Sequence, residues 1–142
     1  MKKILLPVEN QEKIETIDIA VKLAKEFDST ITIFHAVDFH RIPNEVKYGA
    51  YIEKIYETAN KNNFIEKVVN LYKQEGIKTE SKVIEGDAAS EILEESEKGD
   101  YDLVIMKTHS MKENKRFMLG SVTNKVVHHI NVPVLVVRWQ KI

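Results

Sequence analysis

The stretch YDLVIMKTHSMKENKRFMLGSVTNKVVHHINVPVLVVRW, residues 101–139, decides the fold. Its first six residues, 101–106, form an apolar run that reads as a strand covered on both faces. Val122, Val126, Val127 and Ile130 recur at helical spacing, with Ser121 placed to cap a helix over 122–130. VPVLVVRW, 132–139, is a second apolar strand. Two strands joined through a helix pair in parallel by a right-handed crossover.

The same alternation runs outward to the start of the chain. KKILLPV (2–8) is a short buried strand, and Ile14, Ile17, Val21, Ala24 and Phe27 give a helical stripe over 11–27, broken by Asp28 and Ser29. TITIFHAV (30–37) is β-branched and apolar, hence a second strand. A helical region over about 45–75 carries Val46, Tyr51, Ile55, Ala59, Ile65, Val68 and Tyr72, with NKNN (60–63) as a point of kinking and Gly76 as a left-handed cap. IKTESKVIE (77–85) alternates Ile77, Thr79, Ser81 and Val83 against charges and fits a strand near a sheet edge. Asp87 caps a helix that Gly99 ends near Lys98; Glu94, Glu95 and Glu97 read as its charged face. The order βαβαβαβαβ implies an α/β domain, a doubly wound five-stranded parallel sheet between two helical layers, spanning residues 1–142.

Composition excludes several classes. Of 142 residues, 43% are hydrophobic and 30% charged, enough for one globular domain with a full core. A net charge of −1 lacks the basic balance of a general nucleic-acid binder. With no cysteine there are neither disulfides nor thiolate metal sites. The first apolar run is shorter than the roughly 7–15 residues of a secretory core, and no run approaches the ~18–20 needed to span a bilayer. A soluble cytoplasmic protein, without membrane or nucleic-acid partners, is expected.

Ligands of such sheets bind beyond the carboxyl ends of the strands, where strand order switches. Those ends are Val8–Glu9, Val37–Asp38 and Met106–Lys107. Gly120 and the Ser121 hydroxyl precede a helix whose first backbone N–H groups suit an anion, and Lys107, Lys112, Lys115 and Arg116 add positive charge. A bare helix cap beside a solvated basic loop fits the same residues. No Walker A run and no G-x-G-x-x-G occurs.

From KKILLPV through GDAASEIL (86–93) and YDLVIM to LGSVTNKVVHHINVPVLVV (119–137), the chain resembles the universal stress protein family. The resemblance implies a Rossmann-like sheet of order 3-2-1-4-5 and a homodimer. It places the last strand, with Val134, Leu135, Val136 and Val137, at the dimer edge. Nucleotide-binding members carry Gly, two residues, Gly, nine residues, Gly, then Ser or Thr. Here the spacing is kept, but Lys107 and Ser110 stand at the first two glycines; only Gly120-Ser121 remains. Glu9 replaces the family's usual Asp after the first strand, and Ala36 matches a position whose backbone reads adenine. The nucleotide- or anion-binding candidates are therefore Pro7, Val8, Glu9, Ala36, Met106, Lys107, Ser110, Gly120, Ser121 and Val122. With side chains where ligand would press on backbone, weak or absent binding of ATP or AMP is expected, and no resident cofactor. An ATP- or AMP-dependent switch is the alternative, and a small-anion site using Lys107 is a third.

Nothing in the sequence assembles an enzyme. There is no G-x-S-x-G and no H-E-x-x-H, and Asp100 and Asp102 lie at the wrong end of a strand, where capping suits them. The histidines His35, His40, His109, His128 and His129 lack tight ligand spacing, so no metal is expected. Tyr48, Tyr51 and Tyr56 read as helix packing. A non-enzymatic stress-response protein acting as a dimer with unidentified protein partners is the leading expectation, any ATP hydrolysis being incidental.

Overall fold

The computed structural model describes residues 1–9, 14–37, 64–108 and 120–138. Within them five strands alternate with four helices: β1 (Lys3–Pro7), α1 (Asp18–Phe27), β2 (Thr30–Val37), α2 (Phe64–Gln74), β3 (Lys78–Glu85), α3 (Ala88–Lys98), β4 (Leu103–Thr108), α4 (Ser121–His129) and β5 (Val134–Arg138). The strands pair in parallel in the order β3-β2-β1-β4-β5. This is the order that the family resemblance implies. Of the expected helical region 45–75, only the part in α2 lies among the described residues. Tyr48, Tyr51, Tyr56 and NKNN lie outside them, as do Asp38, His40, His109, Ser110, Lys112, Lys115, Arg116 and Trp139.

Alternation along the strands builds two cores. Ile4, Leu6, Ile31, Ile33 and Ile105 face α1 and α2, where they meet Ala20, Ala24, Val68 and Tyr72. Leu5, Phe34, Val104 and Met106 face α3 and α4, where they meet Ala89, Ile92 and Val126. Each large side chain so buried contributes about 1.5–3 kcal/mol. As its unbroken apolar run implies, β4 is covered on both faces.

Helix α1 is shorter than its apolar stripe suggests. Residues 14–17 precede it, and Ile14 and its last residue Phe27 are exposed. No side chain of its own caps it; instead the Ile17 N–H donates to the Tyr72 hydroxyl oxygen across the core, at 2.9 Å. Asp28 closes it in the left-handed region, a conformation short polar residues tolerate, and Gly76 at φ +82 follows α2. The cap of α3 is as expected: Asp87 Oδ2 accepts from the Ser90 N–H at 3.0 Å, and Gly99 closes the last turn. Edge strand β3 bears Lys78, Glu80 and Glu85 among its exposed positions, charges that protect an edge from unwanted pairing, although Val83 is exposed too.

One acid departs from its expected place. Glu95 does not lie on the charged face of α3; it is 5% exposed, on the same stripe as Ala89 and Ile92. It accepts from Lys82 Nζ at 2.7 Å and from the Tyr101 hydroxyl at 2.8 Å. Burial alone would raise its pKa, but these two bonds and the charges of Lys82 and Lys98 outweigh it and hold the carboxyl below its ordinary value. Burial pushes the Tyr101 phenol up to about 12, with Glu95 adding to the rise. Thr32 Oγ1 is buried without a hydrogen-bond partner of ordinary geometry, although its closeness to the phenol pulls Tyr101 the other way. Lys3 Nζ lies over the Tyr101 ring and donates to the Gly99 carbonyl.

Asp102 caps, as its position suggests. Its Oδ2 accepts from the Lys3 and Lys2 backbone N–H groups, and these bonds lower its pKa. The bonds join the amino ends of β1 and β4, away from the carboxyl edge where ligands bind.

Candidate functional site

Strands β1 and β4 are neighbours at the switch in strand order, yet they pair only at Ile4↔Leu103 and Leu5↔Val104. β1 stays paired with β2 as far as Pro7↔Phe34, and β4 with β5 as far as Thr108↔Arg138. Beyond Leu5 the two central strands therefore separate, and a crevice opens at their carboxyl ends. Its walls are Pro7, Val8, Glu9, Phe34, His35, Ala36, Ala88, Ile92, Met106, Lys107, Val122 and Thr123.

Seven of the ten sequence candidates line this one crevice: Pro7, Val8, Glu9, Ala36, Met106, Lys107 and Val122. Gly120 and Ser121 stand at the start of α4, beside Val122. Ser110 lies outside the described residues. Ser121 is not the cap of α4, as the sequence suggests, but its first helical residue. Gly120 takes the cap position with extended angles, and its carbonyl accepts the Asn124 N–H at 2.8 Å. The shift by one residue leaves the N–H groups of Ser121, Val122 and Thr123 ahead of the first intrahelical bond, where the helix dipole favours an anion.

Gly120 has φ −60, which any residue adopts, and a Cβ added there would meet nothing within 4 Å among the described residues. The packing of the described residues does not require glycine at this point. Close approach of a ligand would.

Lys107 is the largest departure from a nucleotide loop. It lies within β4, paired with Val137, and is absent from the positive-φ positions among the described residues, which are Asp28 and Asp100 besides glycines. A glycine is therefore not needed there for its backbone angles, and the effect of lysine is one of volume and charge. Its side chain is only 8% exposed, and Nζ lies 3.6 Å from Glu15 Oε1. A buried ammonium needs such a partner, because an isolated buried charge is strongly disfavoured. Glu15 stands in the segment before α1, so the ion pair ties that segment to the end of β4.

Sequence reasoning missed Glu15, His35, Phe34, Ala88, Ile92 and Thr123. His35 Nδ1 is 2.9 Å from the Val8 carbonyl, whose own N–H donates to Phe34 O at 2.8 Å. The backbone just before Glu9 is thus held from both sides, and the His35 ring packs edge-on against Phe64 at 6.0 Å. Its place at the carboxyl end of β2, next to Ala36, was the available signal. Among the described residues no group of three or more His, Cys, Asp or Glu side chains could hold a metal ion, and no helix is long and apolar enough to cross a membrane.

Comparison with known proteins agrees with this geometry. The profile of the universal stress protein family matches residues 1–138. The universal stress protein MJ0531 of Methanocaldococcus jannaschii is 32% identical over 144 aligned positions, covering 99% of this chain and 84% of the relative. The solved structure of MJ0577, a universal stress protein of the same organism, superposes with a TM-score of 0.75 at 30% identity, covering 99% of this chain and 98% of the other. The fold also matches a family protein of Arabidopsis thaliana solved with AMP bound, at TM-score 0.64 and 18% identity, with 99% and 93% of the two chains covered.

Proposed function

The chain belongs to the universal stress protein family, and on that premise we propose that it is a non-enzymatic, cytoplasmic stress-response protein. It acts as a homodimer and through partner proteins, and its nucleotide site is weakened. The observation that carries this reading is Lys107, a lining residue of the crevice with a nearly buried side chain, at the position where the family's nucleotide loop would begin. Its stem takes volume that ribose and phosphate need, and charge does not restore volume. No acid–base pair or nucleophile with an orienting partner converges in the crevice among the described residues, so any ATP turnover is incidental.

The second reading is a nucleotide-dependent switch. It is favoured by Gly120, which packing does not require, and by the free N–H groups of α4. Family structures solved with AMP, dAMP and cAMP show what relatives bind. Denaturing the purified protein and analysing the supernatant by mass spectrometry separates the two. The weakened site releases no stoichiometric adenine nucleotide; one equivalent of AMP or ATP would establish the switch instead.

The dimer is supported by β5. It lies at the sheet edge, opposite the charged edge of β3, and Val134, Leu135, Val136 and Val137 are all partly exposed. An apolar edge with unpaired backbone groups invites strand pairing, and a second copy can cover it about a two-fold axis. Sedimentation at micromolar concentration is expected to give a dimer. A monomer alone under those conditions would remove this part of the proposal.

A further inference from the structure

One rung of the sheet is missing in the crevice wall, and a side chain stands in its place. Even-numbered residues of β2 turn their backbone groups toward β1: the Thr30 N–H donates to Lys2 O, and Phe34 O accepts from the Val8 N–H, both at 2.8 Å. Odd-numbered residues turn toward β3, as where Val37 O accepts from the Gly86 N–H. The register Pro7↔Phe34 sets Val8 opposite His35, so the next rung of a parallel ladder would run from the Ala36 N–H to the Val8 carbonyl. Among the described residues no backbone N–H meets that carbonyl; it faces the His35 ring, with Nδ1 at 2.9 Å. A carbonyl only accepts, so the ring carries a proton on Nδ1 in this contact. Alternation puts the ring on the α1–α2 side with Ile31 and Ile33, edge-on to Phe64.

We infer that His35 is a positioning residue of the crevice: by holding the Val8 carbonyl it stops β1 and β2 from closing one rung further, and so keeps the Ala36 N–H open to a ligand. This rests on the reading of the crevice as the family's nucleotide position, weakened at its phosphate end. Val8 and Ala36 both line the crevice, and Ala36 is only half-buried, so water serves its N–H until a ligand arrives. The group that an open N–H recognises is a ring nitrogen or carbonyl of a planar base. His35 therefore acts on the base end of a ligand and not on the phosphate end at α4.

The test is nuclear magnetic resonance of the full chain and two variants. His35→Phe keeps a ring against Phe64 and removes the donor. His35→Asn keeps a donor at the place of Nδ1 and removes the ring. In the unmodified protein the imidazole is expected as the Nδ1–H tautomer, and the Ala36 amide exchanges with solvent at least about tenfold faster than that of Phe34, which faces β1 inside the ladder. His35→Phe closes the rung and slows Ala36 exchange by about tenfold; His35→Asn leaves it fast. Adenosine, followed by shift titration, binds the unmodified protein with a constant of about 1 mM, about tenfold more weakly to His35→Phe, and within about twofold of the unmodified protein to His35→Asn. A purely structural histidine gives a different pattern, in which loss of the ring against Phe64 makes His35→Asn the more damaged variant. The Nε2–H tautomer, an Ala36 amide as protected as that of Phe34, or equal behaviour of the two variants would each overturn the inference, and no binding of adenosine by the unmodified protein would overturn its ligand class. The weakened-site reading fails separately, on low-micromolar ATP binding by the unmodified protein, which leaves the His35 bond and the Ala36 amide as they are.

Discussion

Replacing Lys107 and Ser110 together by glycine strengthens ATP binding by at least about tenfold. The spacing to Gly120 and Ser121 is already that of a nucleotide loop, and the N–H groups of Ser121, Val122 and Thr123 precede the first intrahelical bond of α4. On the reading proposed here, what limits the site is the Lys107 stem, 8% exposed. Deleting it opens the wall between the separated ends of β1 and β4. The loss of the lysine charge opposes the gain only weakly, because that charge is already neutralised by Glu15. The Glu15 carboxylate, no longer facing Lys107, opposes it too, but at 40% exposure it is screened by water, a term of about 0–1 kcal/mol. Adding Glu15→Gln to the double variant removes even that. Glycine inside β4 will also lower stability by roughly 0.5–1 kcal/mol, so unfolding is measured alongside binding. Titration at low and high salt decides the matter. Unchanged or poorer affinity in both the double and the triple variant would mean that the missing glycines are not the obstacle.

Glu95→Ala is expected to destabilise the protein by about 2–3 kcal/mol, measured by urea unfolding. The carboxylate joins three elements: Lys82 on β3, α3 itself, and Tyr101 at the entry to β4. Lys82 is 42% exposed and regains water when its partner goes. Tyr101, 8% exposed, does not, and its hydroxyl loses its carboxylate acceptor. Glu95→Gln keeps an acceptor for Tyr101 and should lose less. The pH dependence has a definite sign. The folded carboxyl titrates below its ordinary value of 4.5, so its contribution is complete above that value and is lost as pH falls through the lower folded one. The difference in stability between the unmodified protein and Glu95→Gln should therefore narrow on acidification through that range. A difference independent of pH there would show that the charge contributes nothing.

The alternation of apolar runs of two kinds was enough to read the parallel sheet and its crevice, because period-2 and helical spacing report which face is buried. The strand order came from family resemblance; spacing alone does not distinguish one doubly wound order from another. The candidate site was legible wherever the backbone carries it: Val8 and Met106 fall at strand ends that the switch-point argument names, and Ala36 came from the family resemblance. Side-chain partnerships across the fold were not legible. Glu15 meets Lys107 only because β1 and β4 become neighbours, although the two residues are 92 positions apart in sequence. Glu95 misled because it sits in a run of acids, yet its spacing from Ala89 and Ile92 already placed it on the buried stripe. At Lys107 strand geometry suits lysine, so its backbone angles do not call for glycine.

The central claim is that this universal stress protein keeps the position of the family's nucleotide site and has filled it. Calorimetric titration of the unmodified protein with ATP tests that claim most directly. The filled crevice predicts a dissociation constant near or above ~1 mM, and a constant in the low-micromolar range, roughly −7 to −8 kcal/mol, would contradict it and make Lys107 a phosphate ligand.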